Sequence, residues 1–269
     1  MTEPLIALFE STWGDIDDLC SGLSEDQWNL STDCPGWSVK DHVAHTIGTE
    51  NMLRGVQPPA DVVVGDTPHV RNDIGGFNEQ WVAVYRDKPG AVALDDFRAV
   101  TKERLDALRT LPQEKWDEEG FTPEGRAPYR VFMEIRVFDC WYHDQDMREA
   151  LDQPGFLTGP AADLSVERIF AKGLPYIVGK KAGAPAGSSV VFEVDNDRAA
   201  IGVPPEGRAS RLSEIPESPT TRLSFDRRSF TRLAGGRWTG DQARAYGYPD
   251  IEGDVELGDR VVDNMGFTI

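Results

Sequence analysis

Residues 136–155, RVFDCWYHDQDMREALDQPG, set Asp139 and His143 four positions apart among Val, Phe, Cys, Trp and Tyr. A four-residue step turns an α-helix by only about 40°, so the two side chains share a direction one turn apart. Phe132, Ile135 and Tyr142 fall on or beside that stripe, which turns the pair toward a helical interior, where an uncompensated charge is costly. A surface ion pair, a buried structural hydrogen bond and part of a metal site all start from these two residues. A divalent cation would take an ionised carboxylate and a neutral imidazole, and helical bundles build such sites from facing helices. The further ligand has to come from elsewhere, and SVKDHVAH offers both His42 and His45. Helical phase leaves both open, because His42 shares a stripe with Val39, Val43 and Leu53 while His45 shares one with Met52.

The elements that must position these residues are helices. Leu5, Leu8, Phe9, Trp13, Ile16, Leu19, Cys20 and Leu23 predict an amphipathic helix over 4–24. Ser38 followed by Asp41 has capping-box spacing and predicts a helix from about Val39 to Arg54, closed by Pro58-Pro59. Residues 60–75, rich in Gly, Pro and Asp and containing His69, read as a loop long enough to be functional. Helical spacing returns at Phe77, Trp81 and Tyr85, breaks at Pro89-Gly90 and resumes through Leu108, as one interrupted helix or two. Pro128 opens a further helix to about Ala150, ended by Pro154-Gly155. Four main helices without a convincing strand predict a bundle over 1–155.

The pattern then changes. A helix over 161–177 precedes SSVVFEVDN, whose alternation predicts a half-buried strand, and TTRLSFD predicts another. Asp226 can cap a short helix RRSFTRLA that Gly235-Gly236 stops, and DVELGDRVVDNM suggests a closing strand and helix. The expected fold class is therefore α+β, a helical bundle over 1–155 followed by a smaller α+β domain over 156–269.

Composition narrows the chemistry. The 269 residues carry 46 acidic against 28 basic side chains, a formal charge of −18 that argues against a nucleic-acid partner. No apolar run is long enough for a membrane span, and the acidic, amphipathic start does not read as a signal peptide, so a cytoplasmic location is expected. Cys20, Cys34 and Cys140 are too few for a disulfide framework or a thiolate zinc site, so any metal must lean on His, Asp and Glu. Cys34, just before Pro35-Gly36-Trp37, is a candidate reactive thiol without an evident basic partner. Asp144 and Asp146 beside Arg148 read as a solvated face or a helix-end ion pair. Arg237, behind two glycines in LAGGRW, follows a helix stop or presents a guanidinium to an anion. Phosphate-loop, dinucleotide, zincin and nucleophile-elbow motifs are missing.

Two stretches carry a family resemblance. DCPGWSVKDHVAHTIGTENML resembles the C-P-G-W-[ST]-V-x-D-x-x-x-H signature of the mycothiol-dependent maleylpyruvate isomerase family, and RVFDCWYHDQDMREALDQPG is similar to its acidic-x-x-x-His helix with the following D-x-R-x-A-L-x-x-P-G. LSFDRRSFTRLAGGRW and VELGDRVVDNMGFTI look like its C-terminal domain, a sterol-carrier-like α+β unit. The resemblance implies a DinB-like metal-binding four-helix bundle with His45, Asp139 and His143 as ligands and His42 as a neighbour. The family often has Glu where this chain has Asp139, so the shorter side chain requires a closer helix or a different metal distance. Two imidazoles and a carboxylate leave a position open, as at a catalytic zinc site.

The resemblance further implies mycothiol as a thiol cosubstrate, bound as thiolate and adding to a small, possibly anionic electrophile, in S-transfer or cis–trans isomerisation. Arg237 is the candidate for holding a substrate carboxylate, and substrate choice is expected in loops 56–75 and 113–127. The competing expectation is a non-catalytic protein that binds a metal or an apolar small molecule through its sterol-carrier-like part. A monomer or homodimer is expected.

Overall fold

The structure, a computed structural model, describes residues 3–268. Its contacts divide the chain into two compact units, Met1–Ala162 and Asp163–Ile269; the sequence pattern sets the change of character at 155/156, in the segment that follows the last long helix of the first unit.

In the first unit α1 (Pro4–Cys20) begins with Pro4 in the first turn, where its missing N–H costs nothing, and buries Leu5, Ile6, Phe9, Trp13, Ile16 and Leu19. A one-turn helix, α2 (Glu25–Trp28), follows behind a Ser24–Gln27 capping box. The expected box at Ser38 is present: Asp41 Oδ2 accepts from the Ser38 N–H at 2.8 Å and starts α3 (Val39–Leu53). The interrupted helical pattern resolves into two helices, α4 (Asp73–Arg86) and α5 (Gly90–Thr110). Pro89 cannot donate the backbone bond that would continue α4. After α6 (Gln113–Trp116), a hairpin that the sequence reading missed, β1 (Glu119–Thr122) and β2 (Gly125–Pro128), leads directly into α7 (Tyr129–Ala150).

The α3 helix packs against α4, α5 and α7, and α1 against α5 and α7. Every residue of α3 from 39 to 51 is consequently buried. A helix surrounded by protein should be apolar all round, yet α3 carries Lys40, Asp41, His42, His45 and Glu50, each of which needs a partner. Lys40 finds one structurally: its ammonium donates to the carbonyls of Arg86 at 2.8 Å and Lys88 at 2.9 Å, at the end of α4. The close approach of α3 and α4 depends on Gly48, where a Cβ would lie 2.3 Å from Trp81 Cγ. Gly48→Ala is therefore expected to destabilise by about 1–3 kcal/mol through overpacking, against the roughly 1 kcal/mol that alanine gains in helix propensity. Chemical denaturation would measure it.

In the second part of the chain α8 (Pro160–Arg168) continues without a break through a π-helical turn (Ile169–Gly173), the short α9 (Leu174–Tyr176) and a second π turn (Ile177–Lys181). A five-stranded sheet follows in the order β5-β4-β3-β6-β7. Its strands are β3 (Ser189–Val194), β4 (Asp197–Gly202), β5 (Ser210–Arg211), β6 (Thr221–Phe225) and β7 (Asp250–Gly253). The central β3–β6 pair is parallel, with Phe192 opposite Leu223, and the other pairs are antiparallel. Asp226 caps α10 (Arg227–Ala234) as expected, and Gly235 and Gly236, the latter at φ +67°, end it. The chain closes with α11 (Gly240–Ala245), β7 and α12 (Val255–Asp263).

The fold class is α+β, a helical N-terminal region and a sheet-containing C-terminal part. The expected closing strand lies just ahead of DVELGDRVVD, which is helical from Val255. The β4 strand escaped detection because Ala199, Ala200 and Ile201 are buried in succession and show no period of two. No helix among the described residues is long and apolar enough to cross a membrane.

Candidate metal centre

The α3 and α7 helices bring His45, Asp139 and His143 together. Asp139 stands between the imidazoles, with Oδ2 3.0 Å from His45 Nε2 and Oδ1 3.4 Å from His143 Nε2. One donor atom from each of the three lies within 4.8 Å of the others. Bonds of about 2.0–2.2 Å at tetrahedral angles would set neighbouring donors about 3.3 Å apart, so this set fits a divalent cation such as zinc. His45 Nδ1 is buried and has no hydrogen-bond partner among the described residues, so the imidazole carries a polar atom that these residues leave uncompensated. Asp139, despite its short side chain, lies within hydrogen-bond reach of His45 across the contact between α3 and α7.

The protonation states of His45 and Asp139 suit the same purpose, whereas the acidic neighbours of His143 favour its charged form. Burial is the largest influence on His45; it outweighs the nearby Asp139 and lowers the imidazole below its ordinary value, which keeps the ring neutral. Burial acts to raise Asp139, yet Arg136, His45 and His143 overcome it and hold the carboxyl well below its usual range. Burial likewise works to lower His143, and Asp139 and Asp146 reverse it, leaving His143 raised.

Behind this trio stand residues that fix its orientation. Arg136 Nη1 donates to Asp139 Oδ2, and the same guanidinium donates to Glu50 Oε1 from Nη2 at 2.9 Å. Glu50 also accepts from Arg104 Nε at 2.9 Å, and Arg104 Nη2 donates to the Tyr129 hydroxyl at 2.9 Å. His42 does not join the first trio; its Nδ1 lies 3.0 Å from His143 Nδ1 and its Nε2 2.9 Å from Thr32 Oγ1. Asp146 Oδ2 lies 3.4 Å from His143 Nδ1. His42, His143 and Asp146 also converge within 4.8 Å, but all three are buried, whereas the Asp139 side chain keeps 30 % exposure. A centre that receives a ligand from solvent needs that opening, so the His45–Asp139–His143 trio is the candidate.

Trp37 forms one wall, its ring 5.1–5.4 Å from the rings of His42, His45 and His143. Its Nε1 donates to Glu79 Oε1 at 2.6 Å, and Glu79 also meets His69 Nε2 at 2.8 Å and Arg86 Nη2 at 3.1 Å. Residue 36 must be glycine here: its φ is +82°, and a Cβ would sit 2.4 Å from His69 Nδ1. The long loop before α4 is thus anchored through His69 to the carboxylate that holds Trp37.

Residues 9–148, which contain the whole trio, match the family described as the mycothiol maleylpyruvate isomerase N-terminal domain. The chain belongs to the mycothiol maleylpyruvate isomerase family. Two solved structures of mycothiol-dependent maleylpyruvate isomerase, one of them a histidine-to-alanine mutant, share the fold. Each has a TM-score of 0.54, covering 88 % of this chain and 92 % of its own, at 16 % identity for the mutant and 17 % for the other. Uncharacterised proteins from two Mycobacterium tuberculosis strains are each 27 % identical over 153 residues. That match covers 55 % of this chain, which spans 56 % of each relative's length.

Of the two readings of Asp144, Asp146 and Arg148, the ion pair is the one found: all three are buried, Arg148 Nε donates to Asp144 Oδ2 at 2.8 Å near the end of α7, and burial pushes the Asp144 carboxyl up to about 6. Other residues around the site escaped the sequence reading. Asp146, three residues beyond His143, shared its helical face and could have been found on that ground. Arg136 and Glu50 gave no local signal, because their partner lies 86 positions away. Arg237 lies in the second unit, on the turn after α10, where Nη1 donates to the Gly235 carbonyl at 2.6 Å. Burial raises the Cys140 thiol to about 12 against the pull of Arg136, and raises Cys20 as well. In the native protein an aromatic disulfide reagent is expected to titrate about one thiol rapidly, that of the half-buried Cys34, and all three after denaturation.

Proposed function

We propose that this chain is a metal-dependent thiol enzyme that uses mycothiol on a small electrophile, as a cis–trans isomerase of the maleylpyruvate isomerase type or as an S-transferase. The observation that carries the reading is the convergence of His45, Asp139 and His143 from two helices, at metal-ligand separations, on a partly open side. Family membership supplies the thiol, and two nitrogens with one carboxylate oxygen favour zinc.

A divalent cation bound there would supply a Lewis acid, which raises the thiolate fraction of a thiol whose ordinary pKa is about 8.5. The chain's own residues do the rest. His45 is kept neutral and Asp139 ionised by their surroundings, so neither has to change protonation to serve as a ligand. Arg136, itself held by Glu50, restrains the Asp139 carboxylate at the geometry that meets both imidazoles. Trp37 covers the imidazoles on one side and keeps water from that face. Isomerisation then needs the thiolate to add to a carbon–carbon double bond, the resulting single bond to rotate, and the thiolate to leave again. S-transfer instead ends when the carbanion left by the addition takes a proton from solvent, giving the thioether.

Purified protein loaded with zinc and supplied with mycothiol is expected to convert maleylpyruvate to its trans isomer without net thiol loss, or to consume thiol stoichiometrically with an electrophile. Turnover that is unchanged without thiol, or after complete removal of metal, would defeat the proposal.

A further inference from the structure

We propose that His42 is a positioning residue that holds His143 in the tautomer protonated on Nδ1, so that the Nε2 lone pair faces a divalent cation. The proposal rests on the metal reading of the site. Four polar groups lie in series: Trp37 carbonyl, Thr32 hydroxyl, His42 imidazole and His143 imidazole. Thr32 Oγ1 is 3.1 Å from Trp37 O and 2.9 Å from His42 Nε2, and His42 Nδ1 is 3.0 Å from His143 Nδ1.

With both imidazoles neutral, as a bound cation would require of His143, the protons of this series can run in only two directions. In the first, the Thr32 hydroxyl donates to His42 Nε2, His42 Nδ1–H donates to His143 Nδ1, and the remaining proton of His143 sits on Nε2, facing Asp139. That direction blocks the nitrogen a cation would need. In the second, the Thr32 hydroxyl donates to the Trp37 carbonyl and accepts from His42 Nε2–H, so His42 Nδ1 becomes an acceptor. His143 must then donate from Nδ1, and its Nε2 lone pair is left toward Asp139.

Two groups that can only accept favour the second direction. The Trp37 carbonyl takes the hydroxyl proton at one end, and Asp146 Oδ2, 3.4 Å from His143 Nδ1, draws a proton to that nitrogen at the other. The Thr32 oxygen also accepts from the Cys34 N–H at 3.2 Å, which orients its own proton outward. A metal-binding imidazole is generally set by what its second nitrogen donates to. Here that acceptor is another imidazole, whose accepting state is fixed by a hydroxyl and a main-chain carbonyl ten and five residues before it. His42 thus has a defined task although it is not one of the three ligands of the candidate centre.

The test uses the full chain and zinc alone, with affinity measured by competition against a chromogenic chelator. His42→Leu removes the acceptor, whereas His42→Asn can place an amide oxygen where Nδ1 stands. His42→Leu is expected to lose 10–100-fold in zinc affinity, and His42→Asn to stay within a few-fold of wild type. Thr32→Val, an isosteric change at a half-buried position, reports on the chain even if the leucine variant does not fold, and is expected to cost a few-fold. Imidazole nitrogen NMR of the zinc-loaded wild type should show His143 protonated on Nδ1, a signature that a packing role for His42 would not set. Leucine and asparagine variants with equal affinity, or His143 protonated on Nε2, would overturn the proposal while leaving the metal site intact. Wild-type protein that takes up no zinc would overturn the metal reading and this inference with it.

Discussion

Replacing His45 by alanine is expected to abolish stable metal uptake and, with it, thiol-dependent turnover. His45 supplies one of only two imidazoles in the trio, and Asp139 and His143 alone, one turn apart on α7, cannot close the site from the α3 side. The loss should exceed the 10–100-fold typical of outer groups, so at least about 100-fold in zinc affinity is expected. Elemental analysis after dialysis measures it directly. Stability offers an independent reading, because zinc at about 100 times its dissociation constant would add about 2.7 kcal/mol to the wild type and nothing to the variant. An alanine variant that keeps about one equivalent of metal would remove His45 from the ligand set.

The largest effect on stability is expected from Glu50→Ala. Glu50 is fully buried and serves Arg104 on α5 and Arg136 on α7 from its own place on α3. Arg104 and Arg136 are both buried, so the alanine variant leaves two buried cations, of which Arg136 keeps a carboxylate, Asp139. Breaking a buried pair by removing one partner costs about 3–5 kcal/mol, and in a unit of this size the Tm should fall by roughly 10 °C. Arg136 would then compete for Asp139 unopposed, so weaker metal binding should accompany the loss. Glu50→Gln retains the shape and one acceptor and should fall between. A Tm within about 2 °C of wild type would show that the arginines find other partners.

The sequence was most informative where a local rule had a local cause. Ser38 and Asp41 announced the start of α3 because a capping box is completed within four residues, and Pro128 announced α7 for a similar reason. Asp139 and His143 declared themselves by helical spacing alone. The choice between His42 and His45 was not available to the same logic. Phase distinguishes an inner from an outer face, and α3, buried continuously from 39 to 51, has no outer face. Only the family's signature pointed to His45, and the structure shows both histidines at the centre in different positions. The Glu50–Arg104–Arg136 cluster and the β1–β2 hairpin were silent for another reason: each depends on pairing, across long separations or in strands too short to show a period.

The two π turns after α8 explain a repeat that an ordinary helix could not use. Ser165 and Val166, Ile169 and Phe170, Gly173 and Leu174, and Ile177 and Val178 are buried pairs recurring every four residues, with Ala182 continuing the series. On a regular α-helix each such step drifts by about 40°, and four of them would carry the apolar stripe some 160° around the axis, onto the solvent side. Turns closed by i→i+5 bonds hold more residues and unwind that drift, so the stripe keeps a single bearing. Pro175, between the two wide turns, sits where the ladder is already loosened. A one-residue deletion there should therefore act as a rotation, swinging every later apolar side chain of the segment away from its seat.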